Sequence, residues 1–174
     1  MKQVKVYTAM SLDGFVADKA GKIDWLLGFP NPEGTDYGYA DFFATIDTTL
    51  IGHTTYKDIL AMGDFPYTEK TNYVFTRDRS LSTAPYVTFV SENIIDFVRE
   101  LKAGTGKDIW LAGGGQLNGA LLAENLIDEM ILHVIPIVLG DGIPAFGGIP
   151  MEKVFQFTAA KPYSSGVLEL HYKK

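Results

Sequence analysis

The order of strand-like and helix-like segments restricts this chain to a small set of folds. Segments of the two kinds alternate up to residue 126, and only strand-like segments follow. Parallel neighbouring strands need a long crossover, usually a helix, so the alternation predicts an α/β fold with a mostly parallel central sheet. The almost continuously apolar run Met130–Leu139 is typical of a strand covered on both faces. The later runs Lys153–Thr158 and Val167–Lys173 predict antiparallel strands at the C-terminal end.

Hydrophobic periodicity places the remaining elements. Strands are predicted at residues 3–10, 48–51, 72–77, 86–90 and 108–112, and helices at residues 36–46, 54–62, 92–103 and from 117 onward. Ser91 is the expected N-cap of the helix at 92–103. Residues 28–38 contain several glycines and prolines and are expected to form a loop.

Composition excludes several classes of protein. With 174 residues, 47% of them apolar, the chain is expected to fold as one domain over residues 1–174. It has no cysteine, and its three histidines lack metal-ligand spacing, so no metal site is predicted. The net charge of −6 argues against nucleic acid as a partner. No apolar run is long enough to span a membrane and the N-terminus alternates like a strand, so we expect a soluble cytoplasmic protein.

Three glycines, Gly113 to Gly115, follow the predicted strand at 108–112 and precede a helix. Glycine lets a ligand approach the backbone closely, and the free N–H groups of the next helix can bind a phosphate. In open α/β sheets, ligands bind at the carboxyl ends of the strands, where this turn is expected. The pattern is neither G-x-G-x-x-G nor a P-loop, and a tight turn without a ligand is the alternative.

Two further junctions of the same kind occur earlier in the chain. The segment Gly52–Thr55 ends one strand, and its hydroxyls can either cap a helix or bind a phosphate. The segment Phe75–Arg77 ends another, where the guanidinium can bind a phosphate or remain a solvated loop charge. The carboxyl ends of parallel strands share one edge of the sheet. The three junctions together therefore predict a phosphate-containing ligand at that edge.

A family resemblance is carried by five segments: Ala9-Met10-Ser11-Leu12-Asp13-Gly14, Leu50-Ile51-Gly52-His53-Thr54-Thr55-Tyr56, Asn72-Tyr73-Val74-Phe75-Thr76-Arg77, Leu111-Ala112-Gly113-Gly114-Gly115-Gln116-Leu117 and Pro136-Ile137-Val138-Leu139-Gly140. In this order they resemble the dihydrofolate reductase-like superfamily, and most of all the branch containing the reductase domain of riboflavin biosynthesis. The resemblance covers nearly the whole chain. It implies a three-layer fold with an NADPH cleft at the carboxyl edge of the sheet.

The resemblance also assigns cofactor contacts. Ala9 and Val16 match backbone positions that hold the nicotinamide carboxamide. The other assignments are Gly52, His53, Thr54 and Thr55 at the phosphates, Phe75 and Thr76 at the adenosine, Arg77 at the 2′-phosphate, and Gly113, Gly114, Gly115, Gln116 and Leu117 at the pyrophosphate. A cis peptide bond is implied between the first two glycines of the triple-glycine turn.

One position departs from the family, which usually has arginine where this chain has His53. A neutral histidine supplies no fixed positive charge at pH 7. A preference for NADPH over NADH would then rest on Arg77.

The substrate-side carboxylate is assigned by position. Counting back from Gly52 without a gap, Asp36 falls where dihydrofolate reductases carry a carboxylate, on a helix, that bonds the pterin ring. Asp36 is therefore the candidate catalytic residue, and Asp41 competes for the role. A helix N-cap at Asp36 is the alternative.

These features predict an NADP(H)-dependent reductase of a small heterocyclic substrate, similar to 5-amino-6-(5-phosphoribosylamino)uracil reductase of riboflavin biosynthesis. Two alternatives stay open: a non-catalytic nucleotide-binding domain with the same fold, and a dihydrofolate reductase-type enzyme. The resemblance also suggests a homodimer.

Overall fold

The computed structural model describes residues 1–147 and 152–174. In chain order its elements are β1 (Val4–Ser11), β2 (Phe15–Ala17), α1 (Asp24–Leu27), α2 (Tyr39–Ala44), β3 (Ile46–Gly52), α3 (His53–Met62), β4 (Thr71–Phe75), β5 (Thr83–Ala84), β6 (Val87–Val90), α4 (Ile94–Ala103), β7 (Asp108–Gly113), α5 (Gly115–Ala123), β8 (Glu129–Ile135), β9 (Ile143–Pro144), β10 (Gln156–Pro162) and β11 (Leu168–Lys173). No helix in these ranges is long and apolar enough to cross a membrane.

The central sheet has the strand order β10-β11-β8-β1-β7-β3-β4-β6-β5 over the described residues. The strands from β8 to β6 run parallel to one another. Strand β11 pairs antiparallel with β8, β10 pairs antiparallel with β11, and the short β5 pairs antiparallel with β6. Strands β2 and β9 form a separate two-stranded ribbon.

Helices cover both faces of the sheet. Val98 of α4 and Leu121 of α5 belong to the core on one face. Phe42 of α2 and Tyr56 of α3 are buried against the other face. Burying an apolar side chain of this size stabilises the fold by about 1.5–3 kcal/mol. The three-layer α/β fold, with its mostly parallel sheet and antiparallel C-terminal strands, is confirmed.

Several element boundaries differ from the predicted ones. Strand β8 ends at Ile135 rather than at residue 139, because Pro136 has no N–H and the chain then turns toward β1. There the backbone N–H groups of Leu139 and Gly140 donate to the Asp13 carboxylate at 3.1 and 2.8 Å. Strand β10 spans Gln156–Pro162, later than the predicted run.

Two helix starts were also predicted wrongly. Helix α4 is capped by Asn93 rather than Ser91, since the Asn93 side chain accepts from the N–H of Ile95 at 3.0 Å. Helix α2 begins at Tyr39, three residues later than predicted. Gly38, just before it, has a φ of 81°, in the left-handed region that a helix cannot include.

Candidate functional site

The three glycine-rich or polar junctions lie on neighbouring strands. Strand β3 is between β7 and β4, and all three run parallel. The turns Gly113–Gly115, Gly52–Thr55 and Thr76–Arg77 therefore lie side by side at one edge of the sheet, as predicted from the sequence.

Two helix N-termini converge at this edge. Helix α3 begins at His53 and α5 at Gly115, each directly after its strand. A Cβ atom added to Gly52 would lie 3.4 Å from the backbone nitrogen of Gly114, so the two turns are in contact. Neither helix has a side-chain N-cap or an acidic residue in its first turn. The partial positive charge of both termini is thus left for an anion.

The hydroxyl groups at the start of α3 add donors to this site. Thr54 is exposed and Thr55 half-buried. No cap bond from either is present at the start of α3, so the capping alternative is not what the structure has. A Cβ atom on Gly114 would lie only 3.1 Å from the Thr55 Oγ1 atom. Two helix termini and two hydroxyls form a donor set that fits a pyrophosphate.

His53 joins the ends of β3 and β4. Its Nδ1 atom is 3.1 Å from the Thr76 hydroxyl, which accepts a hydrogen bond from the N–H of Asp78 at 3.1 Å. A hydroxyl has two lone pairs, so the Thr76 hydroxyl can accept the Asp78 bond and still either donate to Nδ1 or accept a hydrogen bond from it. Arg77 follows; its side chain is exposed and forms no ion pair with the described residues.

Some predicted cofactor residues have a packing role. The side chains of Phe75 and Leu117 are buried in the core, so only their backbone atoms can reach a ligand. A Cβ atom on Gly115 would lie 2.0 Å from the carbonyl oxygen of Pro144 in β9, so this glycine is required by the protein itself. Gln116 is exposed. The peptide bond between Gly113 and its successor is cis, as the resemblance implied.

The predicted nicotinamide positions lie further along the same edge. Ala9 is near the end of β1 and pairs in register with His133 of β8. Val16 is half-buried in β2, whose ribbon partner β9 touches the start of α5.

Asp36 lies before α2 rather than on it. Its carboxylate is exposed and accepts hydrogen bonds from the N–H groups of Gly38 at 3.0 Å and Ala40 at 2.9 Å. These bonds lower the pKa of Asp36. The N-cap position of α2 is Gly38 rather than Asp36, but the bond from Ala40 lets Asp36 satisfy a donor of the first helical turn from two residues before it. The substrate role of Asp36 stays a prediction.

A buried polar cluster, which we call the Glu169 cluster, lies on the α2 face of the sheet and was missed by the sequence reasoning. Its centre is Glu169 on β11, 8% exposed, which accepts hydrogen bonds from Tyr163 and His171. The Nε2 atom of His133 lies 3.3 Å from the same carboxylate and 3.0 Å from the carbonyl oxygen of Tyr37.

The electrostatics of the Glu169 cluster are set by burial and by these bonds. Burial acts to raise the pKa of Glu169, but the hydrogen bonds from Tyr163 and His171 outweigh it and hold the pKa below its usual value. Burial lowers the pKa of His133, against the opposing effect of the Glu169 charge. At neutral pH the cluster therefore contains an ionised carboxylate beside a neutral imidazole.

Only weak local signals mark the Glu169 cluster in the sequence. Glu169 and His171 are two residues apart, which places them on one face of a strand. His133 is the one polar side chain in an otherwise apolar run. Neither signal shows that β8 and β11 pair, and that pairing creates the cluster.

Comparison with known proteins supports the same fold. Residues 2–168 match the model of the RibD C-terminal domain. The Bacillus subtilis protein YwjB is 41% identical over 172 residues, which cover 98% of this chain and 97% of YwjB. The crystal structure of a Shewanella sp. PV-4 protein named for riboflavin biosynthesis matches with a TM-score of 0.85 at 30% identity, covering 99% of this chain and 98% of that one. Dihydrofolate reductase from Enterococcus faecalis, complexed with NADP(H), shares the fold with a TM-score of 0.69 at 17% identity, covering 98% and 95%. This chain belongs to the RibD C-terminal domain family, on the dihydrofolate reductase-like fold.

Proposed function

We propose that this protein is an NADPH-dependent reductase of a small heterocyclic substrate related to 5-amino-6-(5-phosphoribosylamino)uracil. The observation that carries the proposal is the convergence of two uncapped helix N-termini at Gly52 and Gly114. The dihydrofolate reductase that shares the fold is complexed with NADP(H), which supports a dinucleotide as the ligand.

The protein's part in the reaction is to bind and orient. The N–H groups that open α3 and α5, with the hydroxyls of Thr54 and Thr55, would hold the pyrophosphate. The backbone at Ala9 and Val16 would hold the carboxamide. When bound, NADPH supplies the hydride. Fixing both reactants at one sheet edge lowers the entropic part of the barrier.

Discrimination between NADPH and NADH is assigned to Arg77. It is exposed and forms no ion pair with the described residues, so its guanidinium is free to bind a 2′-phosphate. His53 lacks the permanent charge of an arginine, and its Nδ1 atom already lies 3.1 Å from the Thr76 hydroxyl. Asp36 is kept as the proposed substrate-side carboxylate. A single domain, a homodimer and a cytoplasmic location stay predictions.

The proposal is tested by calorimetric titration of the protein with NADPH and NADH. NADPH should bind and raise the melting temperature, because it binds only the folded state. Arg77→Ala should weaken NADPH roughly ten- to hundredfold, the loss expected of a charge-assisted bond, and leave NADH nearly unchanged. Arg79→Ala is the matched control, since it removes an exposed arginine from the same loop.

Two results would contradict the proposal. A folded protein that binds neither dinucleotide has no cofactor site at this edge. Binding of NADPH without its oxidation by 5-amino-6-(5-phosphoribosylamino)uracil or related pyrimidines would favour the non-catalytic nucleotide-binding alternative.

A further inference from the structure

The Glu169 cluster lies beside the place where the proposed function puts the nicotinamide. Ala9 pairs in register with His133, and His133 pairs with Glu169 on the next strand. Neighbouring strands are roughly 4.8 Å apart, so the imidazole is within reach of a ring stacked near Ala9. In this row of paired residues, β1 contributes only the methyl side chain of Ala9. The inference below rests on the proposed function and names a feature of its substrate.

The hydrogen bonds of His133 fix which nitrogen carries its proton. The Nε2 atom faces two groups that can only accept, the Tyr37 carbonyl at 3.0 Å and the ionised Glu169 carboxylate at 3.3 Å. The single proton of the neutral ring is therefore on Nε2. Nδ1 is left as an acceptor, and no group among the described residues donates to it.

The segment that holds His133 in place is itself conformationally unusual. Tyr37 has a φ of 55°, a region that non-glycine residues rarely adopt. Its carbonyl accepts from the Tyr7 hydroxyl at 2.9 Å as well as from His133, and its own hydroxyl is 3.2 Å from that of Ser165. The Tyr7 ring lies 4.7 Å from the imidazole. Residues held in such conformations cluster at binding sites.

A purely structural role does not require these residue types. Well-packed apolar side chains of similar volume are often as stabilising as a buried charged group, or more so. Perturbed titratable groups at the ligand edge of a sheet are a feature of functional sites.

We propose that His133 is a substrate-binding residue whose Nδ1 atom accepts a hydrogen bond from a ring N–H of the heterocyclic substrate. Glu169 is a positioning residue, because together with the Tyr37 carbonyl it holds the imidazole in the tautomer that leaves Nδ1 free. This contact requires a heterocycle that presents a ring N–H donor, as the pyrimidine ring of the proposed substrate does. Analogues methylated at the ring nitrogens are excluded, since they leave the buried acceptor unpaired.

The chain's three histidines allow a direct test by ¹⁵N NMR of the side chains. His133 should show a protonated Nε2 and a bare Nδ1 at neutral pH. NADP⁺ alone should shift His53, which lies at the phosphate end. Uracil added to the NADP⁺-loaded protein should then shift the Nδ1 resonance of His133, and 1,3-dimethyluracil should not.

Binding measurements with variants provide the second arm. His133→Phe should weaken uracil binding to the NADP⁺-loaded protein roughly 10- to 100-fold, the cost of leaving one hydrogen bond unmade. His133→Gln, which keeps a donor and an acceptor, should restore part of the affinity. Glu169→Gln should weaken the preference for the Nε2-protonated tautomer of His133, because only the Tyr37 carbonyl then favours it, and should lower uracil affinity several-fold. NADP⁺ affinity should stay within a few-fold throughout.

Glu129→Gln is the matched control. Glu129 is also 8% exposed and lies on β8, but it pairs with Lys5 and Lys173 toward the opposite end of the sheet. Its replacement should leave uracil binding and the His133 tautomer unchanged.

The outcomes distinguish failure of the His133 contact from failure of the proposed cofactor site. If NADP⁺ shifts His53 but uracil leaves His133 unmoved, the inference is overturned while the cofactor site stands. Equal binding of uracil and 1,3-dimethyluracil, or a His133 that carries its proton on Nδ1, also overturns it. If the protein does not bind NADP⁺ at all, the proposed function itself is refuted. If His133→Phe does not fold, the tautomer of His133 in the unmodified protein and in Glu169→Gln still tests the role of Glu169.

Discussion

Replacing Gly115 by alanine is expected to show how much the packing of the triple-glycine turn contributes to stability, apart from any ligand. The added Cβ atom would lie 2.0 Å from the Pro144 carbonyl oxygen, against an optimal separation of about 3.5 Å for non-bonded heavy atoms. Both partners are backbone, so no side chain can rotate away. Either α5 or the segment containing Pro144 must move by more than about 1 Å.

The loss of stability can be estimated from the hydrogen bonds that hold the segment containing Pro144. Three hydrogen bonds between described residues do so: Ala145 N–H to Gly14 at 2.9 Å, Asn118 Nδ2 to Ala145 at 2.9 Å, and Gly147 N–H to Gly115 at 3.0 Å. At about 1 kcal/mol net for each bond, their loss costs about 3 kcal/mol. For a chain of this length, that lowers the melting temperature by roughly 6–12 °C.

The assay is urea and thermal denaturation with and without NADPH, and Gly147→Ala is the matched control. A Cβ atom on Gly147 would lie 3.7 Å from the Pro144 side chain, an ordinary contact, so a change within about 1 kcal/mol is expected. If Gly115→Ala proves as stable as the control, the close packing of β9 on α5 is refuted.

Three further predictions concern the cofactor, the carboxylates and pH. Thr55→Val should weaken NADPH binding several-fold with little effect on stability. Its control is Thr49→Val on β3, the strand that leads into α3, which removes a 2.7 Å hydrogen bond to Asn72 and should lower stability while leaving NADPH affinity unchanged. The opposite pattern in calorimetry would exclude Thr55 from the site. Asp36→Asn keeps an acceptor for the N–H groups before and in α2 and should cost little stability, but it should lower turnover about 100-fold if the predicted substrate contact exists. Asp36→Ala should in addition lower the melting temperature by a few degrees, because that acceptor is lost. Unchanged turnover in both variants would leave Asp36 with a structural role alone. The free energy of unfolding should fall as pH drops below about 6.5, the ordinary pKa of histidine, because the unfolded chain then binds a proton that folded His133, with its lowered pKa, does not. It should fall further below about 4.5, as Glu169 is protonated in the unfolded chain before the folded one, and Glu169→Gln should flatten that second part of a urea-midpoint series.

The sequence could predict that the three junctions of the proposed phosphate end lie together, because the signals of each junction are local. A glycine that ends a strand and the start of the next helix are neighbours in the chain, as at Gly52 and Gly113. The parallel sheet then brings such junctions to one edge. The proposed substrate end could not be predicted in this way, since Ala9, His133 and Glu169 meet only through the register of three strands.

Asp36 shows a different limit. The gapless count placed it on a helix, but a single left-handed residue, Gly38, delays the start of α2 until Tyr39. The carboxylate is then taken up by the backbone that the helix leaves unbonded. The left-handed conformation of Gly38 therefore determines the orientation of the Asp36 carboxylate, which lies three residues before the start of α2.

The position of β1 in the middle of the sheet has a consequence for how the chain is made. Its two partners are synthesised about a hundred residues later, since Val4 pairs with Ile109 and Val6 with Met130. At about 5–20 residues per second, β1 waits roughly 5–25 s for both. Pairings of such long range also make folding slow.

During that interval an apolar strand with unpaired edges is at risk of aggregation. Charged residues placed in and beside such a strand counter the risk, and Lys2 and Lys5 occupy those places here. In the folded protein Lys2 pairs with Asp47, and Lys5 with Asp108 and Glu129. We therefore expect these two lysines to hinder association of the nascent strand with other chains, so their replacement by apolar residues should reduce the soluble yield of the newly made protein more than its final stability.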